Sequence, residues 1–370
     1  MSGRMKPARS LLNVSLAIVV SASAHGQHPH SPGKLSPPSA PAFEVRFSAD
    51  LNLSVTFPQA LPAIATQCDL DGAPYVKVAA ADGWEILGFT SKGVVTFAKS
   101  QMTDIPQPSI ENFFVGPSVY VLATGIENAR QEEVVYTDEE GKPLKLLQTK
   151  GEPRDYIARF DRDGSYRGAL KLDSDFHPLQ VAAFDSGTFV AAGLDGSKKP
   201  RVVLLNSSGQ ILKYLEMPKN QESVKSAEKS FPESGGEVIA MFTQLYSDDG
   251  IVLLVRAGTT LIYEIQESGE VRAVKAMLPG GMAIDHLVPS DRNWIIAARS
   301  RPLDAQSESI YEVHPETGAV VAEYRILKTD NSSATLSCQS QNSFSGIDHQ
   351  EGRLTVVKGS EEPAKEKLAR

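Results

Sequence analysis

RVVLLNSSGQILKYLEM, residues 201–217, is an apolar run, a polar loop ending in Gly209, and a second run in which apolar and polar residues alternate. Short runs of this kind are strands. Gly suits the left-handed backbone that so tight a hairpin demands. The pattern returns at residues 156–172 around Gly164, at 261–278 around Gly269 and at 310–327 around Gly318. These glycines lie 45, 60 and 49 residues apart, and the longest interval contains a polar insert, 218–236. Ahead of each hairpin stands another pair of strands, clearest in LQVAAFDSGTFVAAG, residues 179–193. Segments 119–124, 251–256, 294–299 and 354–358 read as the second strand of that inner pair in other copies. Four strands at a period of about 45 residues make a propeller blade.

The expected fold is therefore all-β: a single β-propeller of about six four-stranded blades. Its units fall at residues 58–105, 106–173, 174–218, 236–279, 280–328 and 332–358. The last unit lacks an outer hairpin, and strands 43–47 and 51–57 are spare at the N-terminus. These N-terminal strands would complete the last blade and leave no sheet edge exposed. Seven blades, or a two-domain β-sandwich, are the alternatives.

GIDHQEGRLTV, residues 346–356, resembles the inner-hairpin motif of NHL-like six-bladed propellers, and residues 179–193 share its cadence. The resemblance implies the ring fold. It implies no particular site, because that family includes binding modules, scaffolds and enzymes.

Residues 1–24 read as a secretory signal peptide. Arg4, Lys6 and Arg9 precede a mostly apolar stretch, 11–20, and Ala22-Ser23-Ala24 is a small-x-small cleavage site. Residues 25–42 form a Pro/Ser/His-rich linker, 43–358 the propeller, and 359–370 a charged C-terminal tail. The expected location is secreted or periplasmic, with no integral membrane segment after cleavage. The formal charge is −8, and loss of the three basic residues of the leader takes it to −11 (−8 − 3). Such a surface repels nucleic acid and anionic lipid, so the expected partner is a protein, peptide or glycan.

No nucleophile elbow, metalloprotease helix, phosphate-binding loop or dinucleotide fingerprint is present. Asp285-His286 and Asp348-His349 each sit in an Ile-Asp-His triplet near the start of a proposed blade, where an inner strand approaches the channel. They are the channel or ligand candidates. Converging carboxylates and imidazoles bind a divalent metal or act as acid and base; strand-end hydrogen bonding is the plainer explanation. His177 and Asn112 occupy comparable places in other blades. Asp69–Gly72 and Asp161–Gly164 read as hairpin turns rather than calcium loops, lacking the later acidic ligand. Trp84 and Trp294 read as core.

The favoured function is a non-enzymatic binding or scaffold module with no cofactor. The alternative is a propeller hydrolase or lactonase with a divalent metal in the channel. Cys68 and Cys338 are the only cysteines. Export places them in an oxidising compartment, and a closed ring makes the first and last blades neighbours, so a disulfide is expected.

Overall fold

The computed structural model describes residues 40–57, 63–69, 71–137, 143–173, 175–218, 243–248, 250–256, 258–288, 290, 293–299, 308–327, 335–340, 343–350 and 352–363. The expected signal peptide, residues 25–39 of the linker and most of the 218–236 insert lie outside them.

The chain is a single all-β propeller. Strand β1 (Ala42–Thr56) leads into a first sheet of β2 (Ala63–Cys68), β3 (Pro74–Ala80), β4 (Gly83–Thr90) and β5 (Gly93–Ala98). The second holds β6 (Ser109–Val115), β7 (Val119–Thr137), β8 (Pro143–Phe160) and β9 (Tyr166–Lys171). The third holds β10 (Phe176–Ala183), β11 (Phe189–Asp195), β12 (Pro200–Leu205) and β13 (Ile211–Tyr214). The fourth holds β14 (Thr243–Asp248), β15 (Ile251–Arg256), β16 (Leu261–Ile265) and β17 (Val271–Lys275). The remaining strands are β18 (Ala283–Val288), β19 (Trp294–Arg299), β20 (Glu308–Val313), β21 (Val320–Leu327), β22 (Thr335–Ser340), β23 (Ser343–Gln350) and β24 (Arg353–Pro363). They join β1 in one eight-stranded sheet ordered β18-β19-β20-β21-β1-β24-β23-β22.

Four separate blades and a double-width sheet thus stand where about six separate blades were expected. The reason is β1. It is one continuous strand rather than two, and it pairs antiparallel with β24 while Ala42 to Arg46 also pair in parallel with β21. The N-terminus closes the last blade and ties it to the blade before. β24 runs on to Pro363, through residues assigned to the charged tail. Residues 354–358 are in third place rather than second, because TLSCQS supplies a first strand whose buried Leu336 and Cys338 alternate with polar residues.

Central strands are apolar on both faces, as in β15 (IVLLVR) and β19 (WIIAAR), because each sheet packs against a neighbour on either side. The outer strands β13 and β17 keep mostly exposed residues. Gly209 and Gly269 turn their hairpins at φ 80° and 78°, where a Cβ would be strained. Cys68 and Cys338 form the expected disulfide, with Cα atoms 5.6 Å apart, joining β2 to β22.

Candidate functional site

The first strands meet in a series, β14 with β10, β10 with β6, β6 with β2, β2 with β22 and β22 with β18, while β18 also touches β15 of the fourth sheet. Polar side chains from several sheets come together at these first strands. In β2, β6, β10, β18 and β22 the pairing to the next strand slips, leaving Ile64, Glu111, Leu179, Asp285 and Ser337 out of register. Such a bulge bends the strand, re-aims a side chain and is frequent beside functional sites. Two of these residues are acids, on β6 and β18.

His177 on β10 places Nδ1 2.8 Å from Asp155 Oδ2 on β8. The other Asp155 oxygen accepts a hydrogen bond from the Thr124 hydroxyl at 3.2 Å. The pair bridges the second and third sheets. The Asp155 hydrogen bond raises the His177 pKa above the usual 6.5 against partial burial, and the charges of Asp155 and Glu111 add to the rise. The His177 side chain is 54% exposed. Because Nδ1 is engaged, Nε2 is the atom available to a ligand or a proton.

Glu111 is exposed, and its main-chain carbonyl accepts from Lys77 Nζ at 2.5 Å. Lys77 is buried on β3 with its ammonium 4.9 Å from the centre of the Trp84 ring. Burial pushes the Lys77 pKa down, and the charge of Glu111 opposes this. Trp84 is half-buried beside this cation and packs against the apolar cluster of the first two sheets, and Trp294 is fully core, 2% exposed. The Asn112 amide donates to the Leu179 carbonyl at 3.1 Å, crossing from β6 to the bulge of β10. Lys77, Glu111, Asp155 and His177 make one mixed-charge cluster over three consecutive sheets.

The sequence-predicted residues fall in two places. Asp285 and His286 lie on first strand β18, with Nδ1 3.2 Å from Oδ2, and Arg299 reaches the same carboxylate at 3.2 Å. The His286 hydrogen bond holds the Asp285 carboxyl below the usual carboxylate range, against the effect of burial. Asp348 and His349 lie instead on β23, the second strand of its blade. Asp348 is buried and accepts from Gln350 Nε2 at 2.9 Å. Each triplet keeps its own neighbours. Among the described residues, no three His, Cys, Asp or Glu side chains form a group placed to hold a metal.

At the middle of the ring the Gln67 amide donates to the Leu245 carbonyl at 3.4 Å. The bond runs from β2 to β14, which are not neighbours around the ring, so the interior is bridged at that level. No helix of the described residues is long and apolar enough to cross a membrane.

Of the four residues in the mixed cluster, sequence analysis singled out His177 alone. Asp155 lies 22 residues before it on another sheet, a separation with no motif value. The available signal was the charged residue at the inner-strand bulge, Glu111.

No family model matches the chain, and no curated protein matches it. Among solved structures, it is similar to a catalytically inactive virginiamycin B lyase from Staphylococcus aureus with quinupristin. That match has 11% identity over 86% of this chain and 99% of the other, at a TM-score of 0.43. It is also similar to the Neurospora crassa Pan2 WD40 domain, at 10% identity over 88% and 98%, TM-score 0.42. A third is the Dos1 propeller, at 10% identity over 85% and 95%, TM-score 0.42. These are β-propeller proteins. At such identity and overlap no residue role passes from them to this chain.

Proposed function

We propose that this protein is an exported propeller that binds a protein, peptide or glycan where its first strands begin, using Glu111 and His177. The observation that carries the reading is the mixed-charge cluster of Lys77, Glu111, Asp155 and His177, drawn together from three sheets. Side chains that only stabilised the ring would be better apolar there, since a buried ammonium and a cross-sheet ion pair both cost desolvation. An imidazole fixed through Nδ1 and an exposed carboxylate offer a donor and an acceptor, the chemistry of peptide amides and sugar hydroxyls alike. In this reading the eight-stranded sheet counts as two blades of a six-bladed, NHL-like ring. Residues 1–24 are removed on export, and the disulfide belongs to an oxidising compartment.

The competing hydrolase or lactonase needs three or more metal ligands at one point, and no such group stands among the described residues. The test uses peptide and glycan arrays probed with the mature protein, followed by calorimetry on the best ligand. Glu111→Gln and His177→Gln should each weaken binding about tenfold, one lost charge-assisted contact, Glu111→Gln without moving the melting temperature and His177→Gln with only the small loss of its Asp155 hydrogen bond. Binding that ignores both substitutions, or no binding on any array, overturns the reading.

A further inference from the structure

The hairpin of β7 and β8 outgrows its sheet. β6 pairs with β7 only as far as Thr124, and β9 pairs with β8 only from Tyr156 onward. The two long strands nevertheless stay paired from Gly125 opposite Arg154 to Thr137 opposite Pro143. Twelve or so residues per strand, at about 3.3 Å each, make a two-stranded ribbon roughly 40 Å long. Both of its edges lack a further strand among the described residues. Isolated two-stranded ribbons are marginal in water, whereas three or more strands hold together.

We infer that this ribbon is a dimerisation arm: the outer half of β8, residues 143–151, pairs antiparallel with the same segment of a second copy about a two-fold axis at Leu147. Three observations select this occupant. First, Leu147 is 74% exposed at the middle of that free edge, and Val135, diagonal to it on the same face, is 55% exposed. Second, residues 143–151 contain no acid and no bulge, whereas the β7 edge is broken by a register shift between Glu127 and Arg130. Third, the two-fold register opposes no like charges. It sets Leu147 against its mate, Lys145 against Thr149, Lys150 against Leu144 and Pro143 against Gly151, avoiding the penalty of like charges across a ladder.

Edge lysines often deter such pairing. Here they are held across their own ribbon, Lys145 on Glu133 at 2.8 Å and Lys150 on Glu132 at 2.5 Å. Direction matters as well. Ribbons added side by side in the same direction would set two propellers about 10 Å apart, which their bulk forbids. The antiparallel two-fold sends the bodies to opposite ends of a four-stranded sheet and closes the assembly at two copies.

The test is sedimentation velocity of the full mature chain across a concentration series. Wild type should show a concentration-dependent dimer, and Leu147→Asp should be monomeric with an unchanged melting temperature, as its site is solvent-facing. Leu147→Cys should form a covalent dimer under mild oxidation faster than Leu212→Cys, an exposed control on the third sheet. A monomeric wild type at every concentration, a dimer that survives Leu147→Asp, or equal cross-linking of the two cysteine variants each refutes the two-fold arm.

Discussion

The ring is joined differently on its two sides. Around the third sheet, one apolar cluster runs without a break from Phe114 and Leu122, through Val190 and Leu204, to Leu254 and Ile265. Three sheets share it, and no covalent link supports it. Where the last blade meets the first sheet, the cluster is small: Val76, Val78, Leu87, Phe89, Ile347, Leu354 and Val356. There the Cys68–Cys338 bridge spans the seam. On its other flank the last blade is hydrogen-bonded to its neighbour through β1 and β21. Seams formed early in the chain rely on burial. The closing seam joins segments 270 residues apart, so it carries a large loop-closure cost on a small apolar cluster, and the cross-link compensates.

The largest expected effect comes from breaking that cross-link. Replacing both cysteines by serine should lower the unfolding free energy by about 2–5 kcal/mol, because a bridge over so long a loop strongly restricts the unfolded chain. Denaturant titration of the oxidised protein and the double variant gives the number. Hydrogen exchange should then quicken first in β2 and β22, with β10 and β11 still protected. Uniform acceleration would mean that the two seams are equivalent.

Next come paired core truncations. Leu254→Ala on the broad seam and Leu354→Ala on the closing seam both empty fully buried sites, each at about 2–5 kcal/mol. They should separate in combination with the cysteine variant. Leu254→Ala should add to it within about 0.5 kcal/mol, as distant sites do, whereas Leu354→Ala should couple to it. Equal additivity at both positions would remove the distinction between the seams.

Part of this was legible before the fold. Gly164, Gly209, Gly269 and Gly318 mark real hairpins, all at positive φ, because a local turn has a local sequence requirement. The disulfide was legible because two cysteines and a closed ring leave few options. β22 was missed because its buried Leu336 and Cys338 alternate with Ser and Gln, so no apolar run announces it. The double-width sheet was missed because β1 pairs with β21 across 281 positions (323 − 42), which no local pattern encodes. The ribbon did leave a trace: the unit 106–173 is far longer than its neighbours. The Ile-Asp-His triplets could be picked out because each is contiguous in sequence, on β18 and on β23, whereas Asp155 and His177 meet only through the packing of two sheets.

The smallest expected effect concerns that pair and has a defined sign. The pKa of His177 is raised in the fold, with the Asp155 hydrogen bond as the chief cause. Folding therefore favours the protonated imidazole. Its stabilisation is fully present below the ordinary pKa of about 6.5 and is lost as pH rises through the higher folded value. The side chain is half exposed, so solvent screening holds the contribution to under about 1 kcal/mol. Asp155→Asn should bring the His177 titration back toward its ordinary value, read from the imidazole proton resonances. It should also flatten the part of the stability profile between that value and the higher one. The Cys68–Cys338 seam lies elsewhere in the ring, so serine replacement there should leave the His177 titration where it was. A His177 midpoint that moves with the disulfide would show that the two sides of the ring are one cooperative unit.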